Sequence, residues 1–160
     1  MSLWRHLWAI GLLPVTVTVL VPGLILWRSG AKVAGWPLAA VGAVLIALGL
    51  VLVAWTVALF ARIGKGTLAP WDPTTRLVVV GPYRHVRNPM ISGVLAVLLG
   101  EAALFGSVPL LIWFAAAFAV NAVYFPLVEE PGLRKRFGED YEAYCANVPR
   151  WLPRLRPWEP

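Results

Sequence analysis

The charged residues of this chain are spaced so that four long stretches hold none. No Asp, Glu, Lys or Arg lies between Arg5 and Arg28, between Lys32 and Arg62, between Arg87 and Glu101, or between Glu101 and Glu129. A helix that crosses a bilayer needs about 20 mostly apolar residues. Leu7–Trp27 and Trp36–Ala61 meet that length, the second with residues to spare for tilt. Met90–Phe105 is a shorter candidate that carries Glu101. "GSVP" (Gly106–Pro109) reads as a tight turn, and Val108–Val128 follows as a fourth span, so the last two form a hairpin. The pattern predicts an all-α integral membrane protein. Its four transmembrane helices cover about 7–27, 36–61, 90–105 and 108–128, in a single domain over residues 1–160. Arg5 and His6 resemble the start of a signal peptide, and the small residues ending at Ala34 resemble a cleavage site. The apolar run is longer than a signal core, which favours a retained span.

Composition agrees with the pattern. Hydrophobic residues make up 59% of the chain and charged residues 14%, against about a quarter charged in soluble domains. Nine tryptophans suit a bilayer, whose interfaces favour indoles. With four spans, both termini share a side with the loop between spans two and three. That side holds twelve of the fourteen Lys and Arg, all but Arg28 and Lys32. Basic residues concentrate on the cytoplasmic side, so the termini and that loop are expected there, at the cell membrane of a bacterium or archaeon. The net charge of +6 then forms a belt facing anionic lipid. It flanks spans rather than building a soluble basic face, which argues against nucleic acid as a partner. Cys145 has no second cysteine to pair with, and His6 and His85 lie far apart, so no metal site is expected and Cys145 reads as an ordinary thiol near the surface.

The polar segments come next. Residues 62–93 form the longest connection, too long for an idle linker in a compact protein. It runs through turn chemistry (Gly64, Gly66, Pro70, Pro73), then "RLVVV" (Arg76–Val80), a short strand or an extended stretch, then the turn "GPY" and "RHVRNP". Asn88 before Pro89 is a standard helix start, with an N-cap followed by proline at the first turn. After the fourth span, Glu129 and Glu130 sit at the membrane edge, and Pro131 and Gly132 are expected to break or restart the helix. Leu133, Phe137, Tyr141 and Tyr144 then recur at helical spacing opposite a charged face. This predicts an amphipathic helix that either lies on the bilayer or caps the polar loop. "VPRWLP" (Val148–Pro153) is a turn-rich anchor with an interfacial Trp151. Acidic residues at the edge of hydrocarbon need a reason to be there. One is an ion pair from a glutamate to Arg84, Arg87 or Arg134. The other is a ligand-binding carboxylate, since Asn121, Phe125 and Glu129 follow i, i+4, i+8 and line one helix face.

"GPYRHVRNPMISG" followed, across a helix hairpin, by "EEPGLRKRFGEDYEAYCANVPRWLP" resembles the catalytic half of the isoprenylcysteine carboxyl methyltransferase and phospholipid N-methyltransferase superfamily. The resemblance covers about residues 75–153. It implies an S-adenosylmethionine-dependent membrane enzyme with a cytoplasmic cofactor-binding loop and a lipid or other lipophilic methyl acceptor. Carried over position by position, it implies a cofactor floor at Thr75, Arg76, Leu77 and Val78, and Tyr83 and Arg87 against the cofactor. Asn88, Pro89, Met90 and Ile91 hold the family's tetrad, and Glu129 and Glu130 its polar end. Asn121 and Phe125 would face the acceptor, and Glu130 is the candidate general base for an amine substrate. Two positions depart from the family pattern. Asn88 replaces a frequent histidine, as in the phospholipid branch, and Ile91 replaces a tyrosine. Phe125 stands where a basic substrate contact would fall, which argues against an acidic prenylcysteine acceptor. The resemblance leaves two other readings: an NADPH-dependent membrane reductase of related architecture, and a non-catalytic scaffold that keeps the fold. Glu101 is assigned no role.

Overall fold

The computed structural model describes residues 14–59, 62–63 and 77–159. Within them the chain is helical, with no strand. Helix α1 (Thr16–Ser29), α2 (Trp36–Leu59), α3 (Pro89–Leu104), α4 (Val108–Phe137) and α5 (Glu139–Asn147) follow in order. A 3-10 turn at Gly81–Arg84 precedes α3. Leu77–Val79, expected as a strand or an extended stretch, has no regular structure.

Helices α2 and α4, 24 and 30 residues long, have the length and apolar composition to cross a membrane. Only 11% of the apolar window of each is buried inside the protein, whereas the core helix of a soluble domain would be mostly covered. Their outer faces expose Val41, Leu48 and Val51, and Leu111, Ile112 and Val120, a surface suited to hydrocarbon rather than water. Helices α1 and α3 are shorter. The 16 residues of α3 rise roughly 24 Å, somewhat less than the roughly 30 Å apolar thickness of a bilayer. The first half of the expected 7–27 span lies mostly outside the described residues.

The α2–α3 pair is the tightest packing in the fold. The two helices run antiparallel with glycines facing each other, Gly42 against Gly100 and Gly49 against Gly93. A Cβ added at Gly49 would lie 2.6 Å from the Gly93 carbonyl oxygen, and one at Gly100 would lie 2.7 Å from that of Gly42. Small residues at such positions let two backbones approach where the surrounding lipid supplies no hydrophobic driving force. The α3–α4 hairpin turns as expected. Gly106 takes φ +55°, and Ser107 caps α4 by accepting the Leu110 N–H at 3.4 Å. The indole N–H of Trp113 donates to the Val17 carbonyl at 3.0 Å and ties α1 to α4.

Helix α4 differs from expectation at its far end. Pro131 and Gly132 do not interrupt it. The α-helical part ends at Tyr124, a π-helical turn covers Phe125–Glu129, and α-helix resumes from Glu130 to Phe137. Pro126 and Pro131 each lack the N–H that an α-helical bond would use. The chain bridges the gap by donating the Glu130 N–H to the Phe125 carbonyl, five residues back. The break falls instead at Gly138, whose φ of +54° suits glycine. The amphipathic segment is therefore two helices, the end of α4 and α5. Tyr141, Tyr144 and Val148 are buried together, with Leu133 and Phe137 packed against them. Leu77 and Val79 join the same cluster, so the aromatic face caps the polar loop.

The glycine seam makes a direct prediction. Gly49→Ala should cost about 1–3 kcal/mol by overpacking, while Gly23→Ala, with nothing within 4 Å of the new Cβ, should be neutral or stabilising. Thermal unfolding in detergent, followed by circular dichroism, compares the two.

Candidate functional site

The loop before α3 is built by local chemistry. Gly81 adopts φ +55°, and Pro82 fixes the second position of the 3-10 turn. A Cβ at Gly81 would lie 3.1 Å from Leu59 Cδ1 and 3.3 Å from Trp55 Cζ2, so the loop backbone rests on the end of α2. This turn buries Tyr83, and the Tyr144 hydroxyl donates to the Tyr83 carbonyl at 2.7 Å.

Asn88 occupies the N-cap position of α3 but makes no side-chain capping bond. Its Nδ2 is buried with no hydrogen-bond partner among the described residues, and Arg87 Nε, one residue earlier, is in the same state. An unsatisfied buried donor costs about 1–3 kcal/mol. Two of them side by side suit a site whose acceptors arrive with a ligand. Arg87 Nη1 is engaged: it lies 3.1 Å from Glu130 Oε1 and donates to Cys145 Sγ at 2.9 Å. Cys145, expected near the surface, is thus half-buried.

The two adjacent glutamates diverge. Glu130 is buried and accepts from Arg150 twice, Nε to Oε1 at 2.7 Å and Nη2 to Oε2 at 3.0 Å. Burial pushes its carboxyl up, but the Arg150 hydrogen bonds and the charges of Arg87, Arg150 and Arg134 outweigh it and hold the group below the usual carboxylate range. Glu129 makes no ion pair among the described residues. It stands at the polar end of α4, past the apolar stretch that ends at Val128, and its side chain keeps substantial accessible surface. The surrounding protein and the like charge of Glu130 push it up to about 7. It lies close enough to Tyr83 for its charge to raise that phenol further, beyond the effect of burial and of Tyr144.

The π turn explains the divergence. The expected face Asn121, Phe125, Glu129 assumes α-helical phase throughout. The turn inserts one residue, so the position in line with buried Phe125 is Glu130, not Glu129. Asn121 donates its amide to Ala117 of its own helix at 2.8 Å. Phe125 is buried against Trp151, with ring centroids 5.9 Å apart in an edge-on arrangement. Of the remaining expected site residues, Leu77 packs in the tyrosine cluster, Val78 and Pro89 are buried, and Met90 and Ile91 are half-buried. Thr75 and Arg76 lie outside the described residues. Arg84 pairs with Glu159 at 2.9 Å rather than with either glutamate of α4. Sequence reasoning missed Arg150 as the chelating partner of Glu130. The signal available was its place in "VPRWLP", a basic residue between turn prolines soon after the charged helix.

A family model described as phospholipid methyltransferase matches residues 38–140, well over half of the chain. The match takes in α2, α3 and α4 and so begins earlier than the resemblance read from the motifs, which left the first two spans aside. No curated protein and no solved structure matches the chain.

The Glu130 cluster carries a pH signature. A carboxyl whose folded pKa lies below its unfolded value of about 4.3 stabilises the fold above that pH and loses the contribution as pH falls through the folded value. Glu130→Gln should lower stability by about 3 kcal/mol, because it leaves Arg87 and Arg150 without their counter-charge, and should flatten the acid limb of a melting-temperature profile. Arg134→Ala should change both far less. An unchanged acid limb in Glu130→Gln would remove this carboxylate as the acid-sensitive group.

Proposed function

The chain belongs to the phospholipid methyltransferase family, and from that premise we propose that it transfers a methyl group from S-adenosylmethionine to a lipophilic acceptor, an amine of a phospholipid being the best fit. The observation that carries the reading is the pair of buried donors with no partner among the described residues, Arg87 Nε and Asn88 Nδ2, close in sequence to Tyr83 and opening α3. The residues present fit the cofactor. It brings acceptors in its carboxylate, ribose and purine that need N–H donors, and an ammonium that needs a carboxylate. Arg87 and Asn88 would supply the donors, Glu129 the carboxylate, and Tyr83 with Val78 and Ile91 an apolar wall. Bound adenosylmethionine supplies an electrophilic methyl group on a sulfonium.

What the chain must add is position and dryness, because an in-line displacement that disperses charge gains most from orientation and exclusion of water. The tyrosine cluster beneath the loop and the α2–α3 pair behind it serve that end. An amine acceptor must also lose a proton. Glu130, held ionised between two guanidiniums, acts as a positioning residue in this reading. Glu129, which makes no ion pair among the described residues and whose carboxyl is pushed up to about 7, is the group suited to accept the proton. Phe125, in place of a basic residue, favours an amine over an acidic acceptor.

In the same reading all four helices span, α1 and α3 included, with both termini and the loop before α3 in the cytoplasm. The acceptor enters sideways from the bilayer and the cofactor from water. The distribution of basic residues supports this orientation. A Lys65→Cys variant in sealed vesicles should label only from the cytoplasmic side, and labelling from outside would reverse the topology.

The first test is calorimetric binding of S-adenosylhomocysteine to the detergent-purified protein, with NADPH as the paired control. Binding of the former alone is expected. Asn88→Ala and Glu129→Ala should each weaken it roughly tenfold, the loss of one charged hydrogen bond, while Glu139→Ala, on the exposed face of α5, leaves it unchanged. Equal effects of Glu129→Ala and Glu139→Ala would remove the site assignment. Binding of NADPH alone would favour the reductase reading.

A further inference from the structure

The segment after α5 lies beyond the family match, which ends at residue 140, and it is not a loose end. Its backbone runs antiparallel to the loop before α3 and bonds to it at three levels. The Arg87 N–H donates to the Pro149 carbonyl, the Arg154 N–H to the His85 carbonyl, and the Trp158 N–H to the Arg84 carbonyl, each at 2.9 Å. Side chains reinforce the ladder. Arg84 Nε donates to the Trp158 carbonyl at 2.7 Å, and His85 Nδ1 lies 2.8 Å from the Arg154 carbonyl oxygen, which makes that ring nitrogen the donor. Arg150 reaches back to Glu130. The tail thus holds Arg84, His85 and the Arg87 backbone directly, and through Arg150 it braces the Glu130 that pairs with Arg87.

The tail also has a defined height against the membrane. The Trp151 ring packs on Phe118 and Phe125, with centroids 5.4 and 5.9 Å apart. Phe118 and Phe125 lie eleven and four positions before Glu129, so at about 1.5 Å per residue the indole sits inside the apolar part of α4. The side chains that follow do not turn inward. Leu152 is 81% and Leu155 98% exposed, an unusual position for leucine in water. Arg156 beside them is exposed too. Arg154 gives Nη1 to the Asn147 carbonyl at 2.8 Å. Between Pro149 and Pro157 the tail carries three arginines and no acid.

Leucines pointing out just beyond an indole that reaches the apolar part of α4, alternating with arginines, fit one partner, a surface with acyl chains below and negative charge above. We propose that residues 149–157 form an interfacial strap that binds an anionic phospholipid surface, and that its seating there holds residues 84–88 in their ordered arrangement. The strap would make the order of the site depend on the lipid around it. Leu152 and Leu155 supply apolar insertion, and Arg156 with the free part of Arg154 supplies attraction to the negative charge of such a surface. Only the consequence for cofactor affinity rests on the methyltransferase reading; the lipid contact stands without it.

The test uses the full chain in nanodiscs of phosphatidylcholine alone and of phosphatidylcholine with phosphatidylglycerol, with no cofactor present. Hydrogen exchange is read at the Arg87, Arg154 and Trp158 amides, the three donors of the ladder, and at α2 and α3 amides as a check on the fold. The three should exchange roughly tenfold more slowly in the anionic discs, as expected if local opening is suppressed. Leu152→Ser with Leu155→Ser should abolish the protection in both discs. Arg156→Gln, which leaves the apolar contacts in place, should abolish only the difference between discs. The α2 and α3 amides should not change in any sample. Equal exchange in the two discs, or protection that survives the double serine variant, would overturn the proposal. S-adenosylhomocysteine affinity is then measured in the same discs. Lipid-dependent protection without any binding would leave the strap intact and remove the methyltransferase reading instead.

Discussion

One buried carboxylate organises the polar half of this protein. Glu130 lies between Arg87 and Arg150, and those three residues come from the loop before α3, the far part of α4 and the tail. Burying a charge is costly unless its partners are well placed, and removing one partner costs more than the pair contributes. The arrangement is therefore specific rather than merely stabilising. It forces three segments, distant in sequence, to meet at one point. Tyr141, Tyr144 and Val148 fill the space below, and the Tyr144 hydroxyl fixes the loop at Tyr83.

Behind the cluster stands a platform of a different kind. The α2–α3 contact uses glycines rather than interlocking side chains, and bilayer lipid provides no hydrophobic incentive for helices to associate. Close backbone contact gives the pair dispersion and little room to shift. Because α3 begins at Pro89, immediately after Asn88, the position of the candidate donors is inherited from that seam. The site is held from one side by packing and from the other by charge.

Much of this was legible in the sequence. Gaps between charged residues placed α2, α3 and the start of α4 to within a few positions, since an apolar helix face leaves little tolerance for charge. The turn at Gly106 read correctly because it is local, whereas Leu133, Phe137, Tyr141 and Tyr144 gather in one cluster from two helices that part at Gly138 rather than from the single helix expected. The features that escaped depend on distant or irregular geometry. An i, i+4 reading of Asn121, Phe125 and Glu129 presumes an unbroken α-helix, and Pro126 with Pro131 supplies the reason it is not one. The chelation of Glu130 by Arg150 spans 20 residues and a helix break at Gly138. The antiparallel pairing of the tail with residues 84–87 has no periodic signature at all.

The π turn has a consequence for how this site could change over evolutionary time. A π turn is, in effect, an insertion of one residue carried inside a helix. If Phe125–Glu129 straightened to regular α-helix with no residue lost, every position beyond it would rotate by about a quarter of a turn. In most helices that would put a wrong residue into the core. Here the residue before Glu130 is another glutamate, so a carboxylate would still arrive between the guanidiniums, while the exposed position beside Tyr83 would pass to Val128. The paired glutamates thus buffer the ion cluster against a shift in phase and leave the neighbouring position open to variation.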